Sequence, residues 1–356
     1  MMNILEKIPA PGYTAYIVAC IVAYLYTGTL VATIGIAIIL GLPLFFMSDM
    51  PPYATWLEKF GQYIFLLVCT FIFIFLITPV LVIMPLSFNV EPYFTFTEGM
   101  LSLDPAAYST RWYQDIFLFG MNDPDGTEGW WSDMWNNSTW VKAAFNSFKF
   151  AVLATIMATF FGTLAALGLS RPEMPFRSAI TSLLISPMIV PLVITATGMF
   201  FFYAKKDVFP FFPDGLINHD LGIVLAHATL GVPFVIITVT ATLTGFDNSL
   251  IRASRSLGAN GWTTFRRVIM PLIMPGMISG ALFAFITSLD EVVAVIFLAD
   301  VHQVTIPRQM FSGIREQISP TILAVATLLV MISIALLATL EVLRRRSERL
   351  RGLSPG

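Results

Sequence analysis

Seven or eight apolar stretches, each long enough to cross a bilayer, dominate this 356-residue sequence. A helix rises ~1.5 Å per residue against a hydrocarbon core of ~30 Å, so about 20 mainly apolar residues suffice. The clearest runs are Tyr63–Phe88, Ala143–Leu169, Ile180–Tyr203, Leu221–Leu243, Leu272–Ala299 and Ile322–Leu343. Pro187 and Pro191 should bend the third, Pro233 lies in the fourth, and Asp290 and Glu291 interrupt the fifth. The run Tyr13–Met47 would make a straight helix of about 52 Å, too long for one perpendicular span. Thr27-Gly28-Thr29 sits inside it. Two short spans are expected there, with one long tilted span as the alternative. With 56% apolar and 12% charged residues, against about 25% charged in a soluble domain, the chain cannot bury its apolar surface in one water-soluble core. An ordinary cytosolic enzyme, a disordered chain and a nucleic-acid binder are excluded. The expected class is an all-α polytopic membrane protein with about 7–8 spans.

No small-residue cleavage site or basic leader marks the N-terminus MMNILEKIPAPGYTAY, so the apolar run after it is expected to be retained. The two cysteines, Cys20 and Cys69, lie in apolar runs, and His219, His227 and His302 have no metal-ligand spacing. No metal is expected. The chain divides into an extra N-terminal membrane segment over 1–60, a first core span over 61–88 and an external loop over 89–140. A core over 141–345 and a basic tail over 346–356 follow. The external loop holds eight carboxylates, a single Arg111 and five tryptophans, and reads as a folded cap.

Basic residues near the spans set orientation. The loop Ser170–Ser178, the loop Thr244–Met270 and the tail from Arg344 share one side by parity and hold eleven of the twenty Lys and Arg residues. They are assigned to the cytoplasm.

The cytoplasmic segment Gly245–Pro275 carries the functional signal. Ser249–Leu257 is helix-competent, Gly258 permits a left-handed helix end, and a second basic stretch runs to Pro271. Two short helices at an angle would form a knob able to dock on a soluble partner. The segment resembles the EAA loop of ABC-importer permeases. Arg252-Ala253-Ser254 stands at the EAA position, Gly258 at the glycine and Met270-Pro271 at the closing Leu-Pro pair. Arg252 reverses the charge of the family's glutamate, Ser254 replaces an alanine and Met270 a leucine. The resemblance implies that Arg252, Ala253, Ser254, Leu257, Gly258, Ala259 and Pro271 form an ATPase-coupling loop. Within this family, Gly-Phe-Asp before the loop, Ser288–Val293 after it, and Trp112–Phe117 are similar to the second permease of spermidine/putrescine-type importers.

What the resemblance implies is the type-I importer permease bundle, working by alternating access. Its partners would be a dimer of ABC ATPase subunits, a second homologous permease and a periplasmic solute-binding protein, in a bacterial inner membrane. This chain has no Gly-Lys dipeptide and hence no GxxxxGK[ST] phosphate loop, so ATP-Mg would sit on the partner subunit. Asp290 and Glu291, costly in an apolar span unless they face a cavity or partner, are candidates for the substrate pathway. They lie about 28 Å of helix beyond Pro271. The alternatives are an ion-coupled secondary transporter, or a permease of the same type carrying an opine-like or other small organic solute.

Overall fold

A computed structural model of the chain describes residues 53–350 apart from 54, 127–128, 172, 207, 209–211, 213, 246, 248 and 317–318. The apolar run Tyr13–Met47, with its one-span or two-span alternative, lies outside the described residues. The helices are α1 (Trp56–Leu86), α2 (Glu98–Leu101), α3 (Arg111–Leu118), α4 (Trp130–Asn137), α5 (Thr139–Leu169), α6 (Arg177–Ile189), α7 (Leu192–Tyr203), α8 (Asp220–Thr244), α9 (Ser249–Ser256), α10 (Gly261–Thr264), α11 (Met270–Leu289), α12 (Val293–Leu298), α13 (Ile306–Glu316) and α14 (Thr321–Leu350). A π turn, Phe265–Ile269, joins α10 to α11. Among the described residues no strand forms beyond one bridge, Asn89–Tyr108. Five helices are long and apolar enough to cross a membrane, or six if the bent pair α6 and α7 is one span. These are the six runs expected between positions 63 and 343.

The chain divides into two compact units, the first ending at Pro85. In the first, α1 starts seven residues earlier than hydropathy suggested because Thr55 and Glu58 form a reciprocal cap. The Thr55 N–H donates to Glu58 Oε2 at 2.8 Å and the Glu58 N–H to Thr55 Oγ1 at 3.4 Å. Such a capping box satisfies two backbone donors that a helix start leaves free.

The second unit, from Leu86 onward, is organised around α8, which packs against both α5 and α11. Lipid supplies little drive for apolar helices to associate, so close backbone approach through small residues must hold them. The sequence supplies those residues at the crossings. A Cβ placed on Gly280 of α11 would lie 2.7 Å from the Val235 Cα of α8, and one on Gly231 of α8 would lie 2.9 Å from Ala284 Cβ. Phe150, Ala158, Ile223, Val235, Val239 and Ile273 fill the same core and are fully buried. His227 is buried among them, its Nδ1 2.7 Å from Ser288 Oγ.

Two expected spans are altered. Ile180–Tyr203 is broken, with α6 and α7 meeting at 103°. Val190 adopts ψ 136 before Pro191, as the ring of a following proline forces its neighbour out of the α region. Pro187 and Pro233 lie inside helices that continue past them. The fifth run does not reach Ala299. Helix α11 ends at Leu289, and α12 begins at Val293.

The segment 89–140 is folded. Buried Asn89 donates through Nδ2 to the Tyr93 and Thr95 carbonyls, and Trp112 Nε1 donates to the Asn89 carbonyl at 2.7 Å. Trp112 and Trp140 are buried structural anchors, whereas Trp131 and Trp135 are exposed.

The glycine crossings predict an asymmetric pair. Gly280→Val should destabilise the bundle by roughly 1–3 kcal/mol through overpacking. Gly198→Val, at a site with open space around it, should cost well under half of that. Thermal unfolding of both variants in the same detergent checks this.

Candidate functional site

The segment between α8 and α11 forms a two-helix knob at the end of the bundle shared by Leu169 and Thr244. Asp247 starts it. Its Oδ1 accepts the Ser249 N–H at 2.8 Å, and its Oδ2 accepts the Ser249 hydroxyl. The carboxylate replaces backbone partners missing at a helix start. These bonds, the Ser249 hydroxyl foremost, hold the Asp247 carboxyl below the usual carboxylate range.

Helix α9 ends in a closed left-handed turn. The Ala259 N–H donates to the Ser254 carbonyl at 3.1 Å and the Gly258 N–H to the Arg255 carbonyl at 2.9 Å. This is the paired 6→1 and 5→2 bonding of a Schellman end, which needs positive φ at one residue. That residue is Gly258, at φ 80. Asn260 then caps α10, accepting the Thr263 N–H at 2.8 Å. Ser254 Oγ lies 2.9 Å from Thr264 Oγ1, so a hydroxyl pair ties α9 to α10. The serine that departs from the family pattern thus has a structural partner. An alanine there would leave buried Thr264 without it.

Beyond α10 the helix passes into the π turn, where the Met270 N–H donates to the Phe265 carbonyl. Pro271 follows and has no N–H to give. The second helix of the knob and α11 are therefore one continuous helical run, Gly261–Leu289. π turns of this kind recur at functional positions in helices.

The knob's outer surface is apolar where it meets water. Leu250, Ala253 and Leu257 lie at i, i+3 and i+7, and Leu257 is 88% exposed. Trp262, 68% exposed, stacks on Phe265 with ring centroids 5.8 Å apart. Arg252, Arg255, Arg266 and Arg267 surround this patch and are exposed. Grouped apolar patches rimmed by charge are the surfaces that meet proteins, membranes or ligands. The seven coupling-loop candidates all fall on this knob or at its junction with α11. Arg252 forms no ion pair among the described residues.

Asp290 and Glu291 sit at the far end of α11, about 30 Å away by helix rise, and the two differ. Asp290 is exposed, without an ion pair among the described residues. Glu291 is buried, and its Oε1 accepts the Ala294 N–H at 2.8 Å, capping α12. Composition alone did not separate these neighbours. The third-residue spacing from Glu291 to Ala294 is the signal that could have.

Reading for charge in apolar runs also passed over a polar layer at this end. Lys149 of α5 pairs with Asp220 of α8 at 2.8 Å. Gln303 Nε2 donates to Asp220 Oδ1 at 2.7 Å, and Asn146 Nδ2 donates to the His302 and Val304 carbonyls at 2.9 and 3.1 Å. These bonds fasten the loop after α12 to two spans.

The described residues thus form a bundle of broken and continuous spans with a two-helix knob at one end. Residues 158–349 match the family described as binding-protein-dependent transport system inner membrane component, and the chain belongs to that family. The spermidine/putrescine transport system permease protein PotC of Haemophilus influenzae is 28% identical over 280 residues, 78% of this chain and 95% of that protein. The putrescine transport system permease protein PotI of Escherichia coli K12 is 28% identical over 258 residues, 72% and 82% of the two chains. In fold, a chain from the crystal structure of a bacterial ABC transporter involved in import of the acidic polysaccharide alginate superposes with TM-score 0.56 at 14% identity. It covers 82% of this chain and 99% of that one. The chain is a membrane-spanning translocation component.

The left-handed turn gives a graded test. Gly258→Ala should weaken the knob by roughly 1–2 kcal/mol, the cost of αL for a side chain with Cβ, and Gly258→Asn by less. Nothing lies within 4 Å of a Cβ at this position, so the loss is conformational rather than steric. Hydrogen exchange of the Ala259 amide reads it directly.

Proposed function

We propose that this chain is one permease of an ATP-driven, binding-protein-dependent importer, and that its cargo is a small organic cation of the polyamine class. The observation that carries the importer reading is the knob: an exposed apolar face closed by Gly258 and continuous through Pro271 with a span. Such a face has the chemistry to seat in a groove of a soluble subunit, and its helical continuity gives that subunit a handle on the bundle. ATP-Mg would be held by a dimer of ABC ATPase chains. Arg252, Ala253, Ser254, Leu257 and Ala259 would form the contact, and Gly258 would fix its shape. The knob and basic tail would face the cytoplasm, and segment 89–140 the opposite side. A second homologous permease would complete the pathway beside α6 and α7, whose apolar side chains Leu183, Ile189 and Ile194 are exposed.

The cargo class is supported by the names of the two relatives and by charge. The outward segment with eight carboxylates and one arginine raises the local concentration of cations. Asp290, exposed at the end of α11, would meet a cation entering the pathway. Glu291 is a positioning residue there, because its carboxylate holds α12. In transport the loaded binding protein docks outside, the ATPase dimer closes on ATP, and the knob carries that motion into α11.

Two expectations test this. Affinity capture of the chain in mild detergent should bring down an ATPase and a second permease, and Gly258→Arg should abolish that association or uncouple ATP turnover while the chain remains inserted. Capture of the chain alone, even after crosslinking, would overturn the importer reading in favour of an ion-coupled carrier. Asp290→Asn should lower spermidine or putrescine uptake about tenfold, the scale on which one lost charge contact acts, at unchanged membrane abundance. Normal uptake by that variant removes Asp290 from the pathway.

A further inference from the structure

A cavity of about 440 Å³ opens at the end of the bundle opposite the knob, between the C-terminal half of α4, the first two turns of α5 and the loop 301–304. Neither the knob nor Asp290 and Glu291 line it. Its volume lies in the range of small-molecule sites. Trp135 and Phe145 form an aromatic ledge on one side, ring centroids 5.4 Å apart and edge to face.

The cavity sits at headgroup height. The apolar part of α5 from Phe150 to Leu169 matches the ~30 Å hydrocarbon core in length, with Lys149 at one boundary. Asn146 and Phe145 stand about 6 and 8 Å beyond Phe150 along the helix axis, within a headgroup layer of about 5–8 Å. Lys142 stands about 12 Å out, and its flexible stem lets the ammonium reach back to that layer. The floor of the cavity is therefore level with lipid phosphates.

The cavity also opens on the lipid side of α5. Lys142 and Phe145 share a helix face with Phe148, Ile156 and Phe160, three exposed apolar side chains. Ala151, Ala154 and Ala158, on the opposite face, are buried in the bundle. The exposed face belongs to a helix long and apolar enough to cross a membrane, so acyl chains cover it below the cavity.

Charge selects the headgroup. No Asp or Glu among the described residues lines the cavity, whereas Lys142 and His302 bring nitrogen to it. Lys142 is exposed and forms no ion pair among the described residues. That wall calls for an anion. The α4 wall has the opposite sign behind it. Asn137, which lines the cavity, donates through Nδ2 to Asp133 Oδ1 at 2.6 Å. The Asp123 N–H foremost, and then this amide, hold the Asp133 carboxyl below the usual carboxylate range, so it stays charged. A wholly anionic occupant would face Asp133, and a wholly cationic one Lys142. A zwitterion satisfies both, with its anion toward α5 and its cation toward α4 and the Trp135 ring.

We propose that this cavity seats one phospholipid with a phosphoethanolamine headgroup. The phosphate meets Lys142 and His302, the ammonium lies against Trp135 on the Asp133 side, and the acyl chains descend along Phe148 and Ile156. Asn146 holds the His302 and Val304 carbonyls of the same wall, and Gln303 joins that loop to Asp220. The lipid therefore braces the junction of α5 and α8.

The test uses the full chain, delipidated in mild detergent and titrated with phosphatidylethanolamine under native mass spectrometry, with thermal unfolding as a second readout. One lipid should bind, about fivefold tighter than phosphatidylglycerol of the same chains, the scale of one charge at a membrane surface. Its binding should raise the unfolding temperature by mass action. Lys142→Glu should weaken binding about tenfold or more and abolish that rise, while Lys142→Arg keeps both. Without lipid, Lys142→Glu should unfold at the parent's temperature, because the side chain is exposed and unpaired. Trp135→Ala should weaken binding about threefold through loss of the cation–π contact. Affinity within twofold of the parent in Lys142→Glu overturns the seat. Tighter binding of phosphatidylglycerol overturns it in favour of an anionic lipid. Displacement of the lipid by millimolar inorganic phosphate, with the same rise in unfolding temperature, overturns it in favour of a free anion. Crosslinking of position 142 to a soluble protein in membranes, with no lipid retained, overturns it in favour of a protein partner.

Discussion

Close approach of three spans, α5, α8 and α11, is the constraint on which the second unit depends. Apolar surface that would drive association in water is neutral toward lipid. Packing at van der Waals distance must replace it, and that distance is reached only where side chains are minimal. Gly231 against Ala284, and Gly280 against Val235 and Thr238, are such points. They lie along the middle of α8 and α11, so they set the relation of these helices over most of their length. Everything functional hangs on the ends of the helices they fix.

At one end, α11 runs back through the π turn and α10 into the knob without a break in helical structure. A force on the knob therefore acts on α11 and, through the glycine contacts, on α8. At the other end, Glu291 caps α12 and the Lys149–Asp220–Gln303 bonds hold the following loop. The two ends use different physics. The knob exposes apolar side chains and arginines and satisfies its own backbone internally. The opposite end satisfies side chain with side chain, as Lys149, Asp220 and Gln303 do.

Several site residues were legible because local chemistry leaves few choices. Gly258 must be glycine-like where a helix closes with positive φ, and Pro271 cannot sit within a regular helix without disturbing the bond four residues back. Asp290 and Glu291 stood out as charges against an apolar background. Their separation into an exposed carboxylate and a helix cap was not legible by composition, since both residues are acidic and adjacent. The Ser254–Thr264 hydroxyl pair was equally hidden. Ten residues separate the two, and only the fold of the turn at Gly258 brings them within 2.9 Å.

By itself the sequence determined that this is a helical membrane protein, where the described spans lie, and that a glycine-closed loop stands between two of them. Those features follow from hydrophobic length and from backbone rules that act over a few residues. Only the tertiary structure decided that Ile180–Tyr203 is two helices at 103° and that the fifth span stops at Leu289. It alone placed Lys142, Phe145 and His302 around one cavity. The physical reason is range. Hydropathy and capping are local, whereas breaks, buried hydrogen bonds and cavities depend on which helix faces which, and in this unit that is settled by glycine contacts between residues such as Gly280 and Val235 or Gly231 and Ala284, about 40 to 55 positions apart.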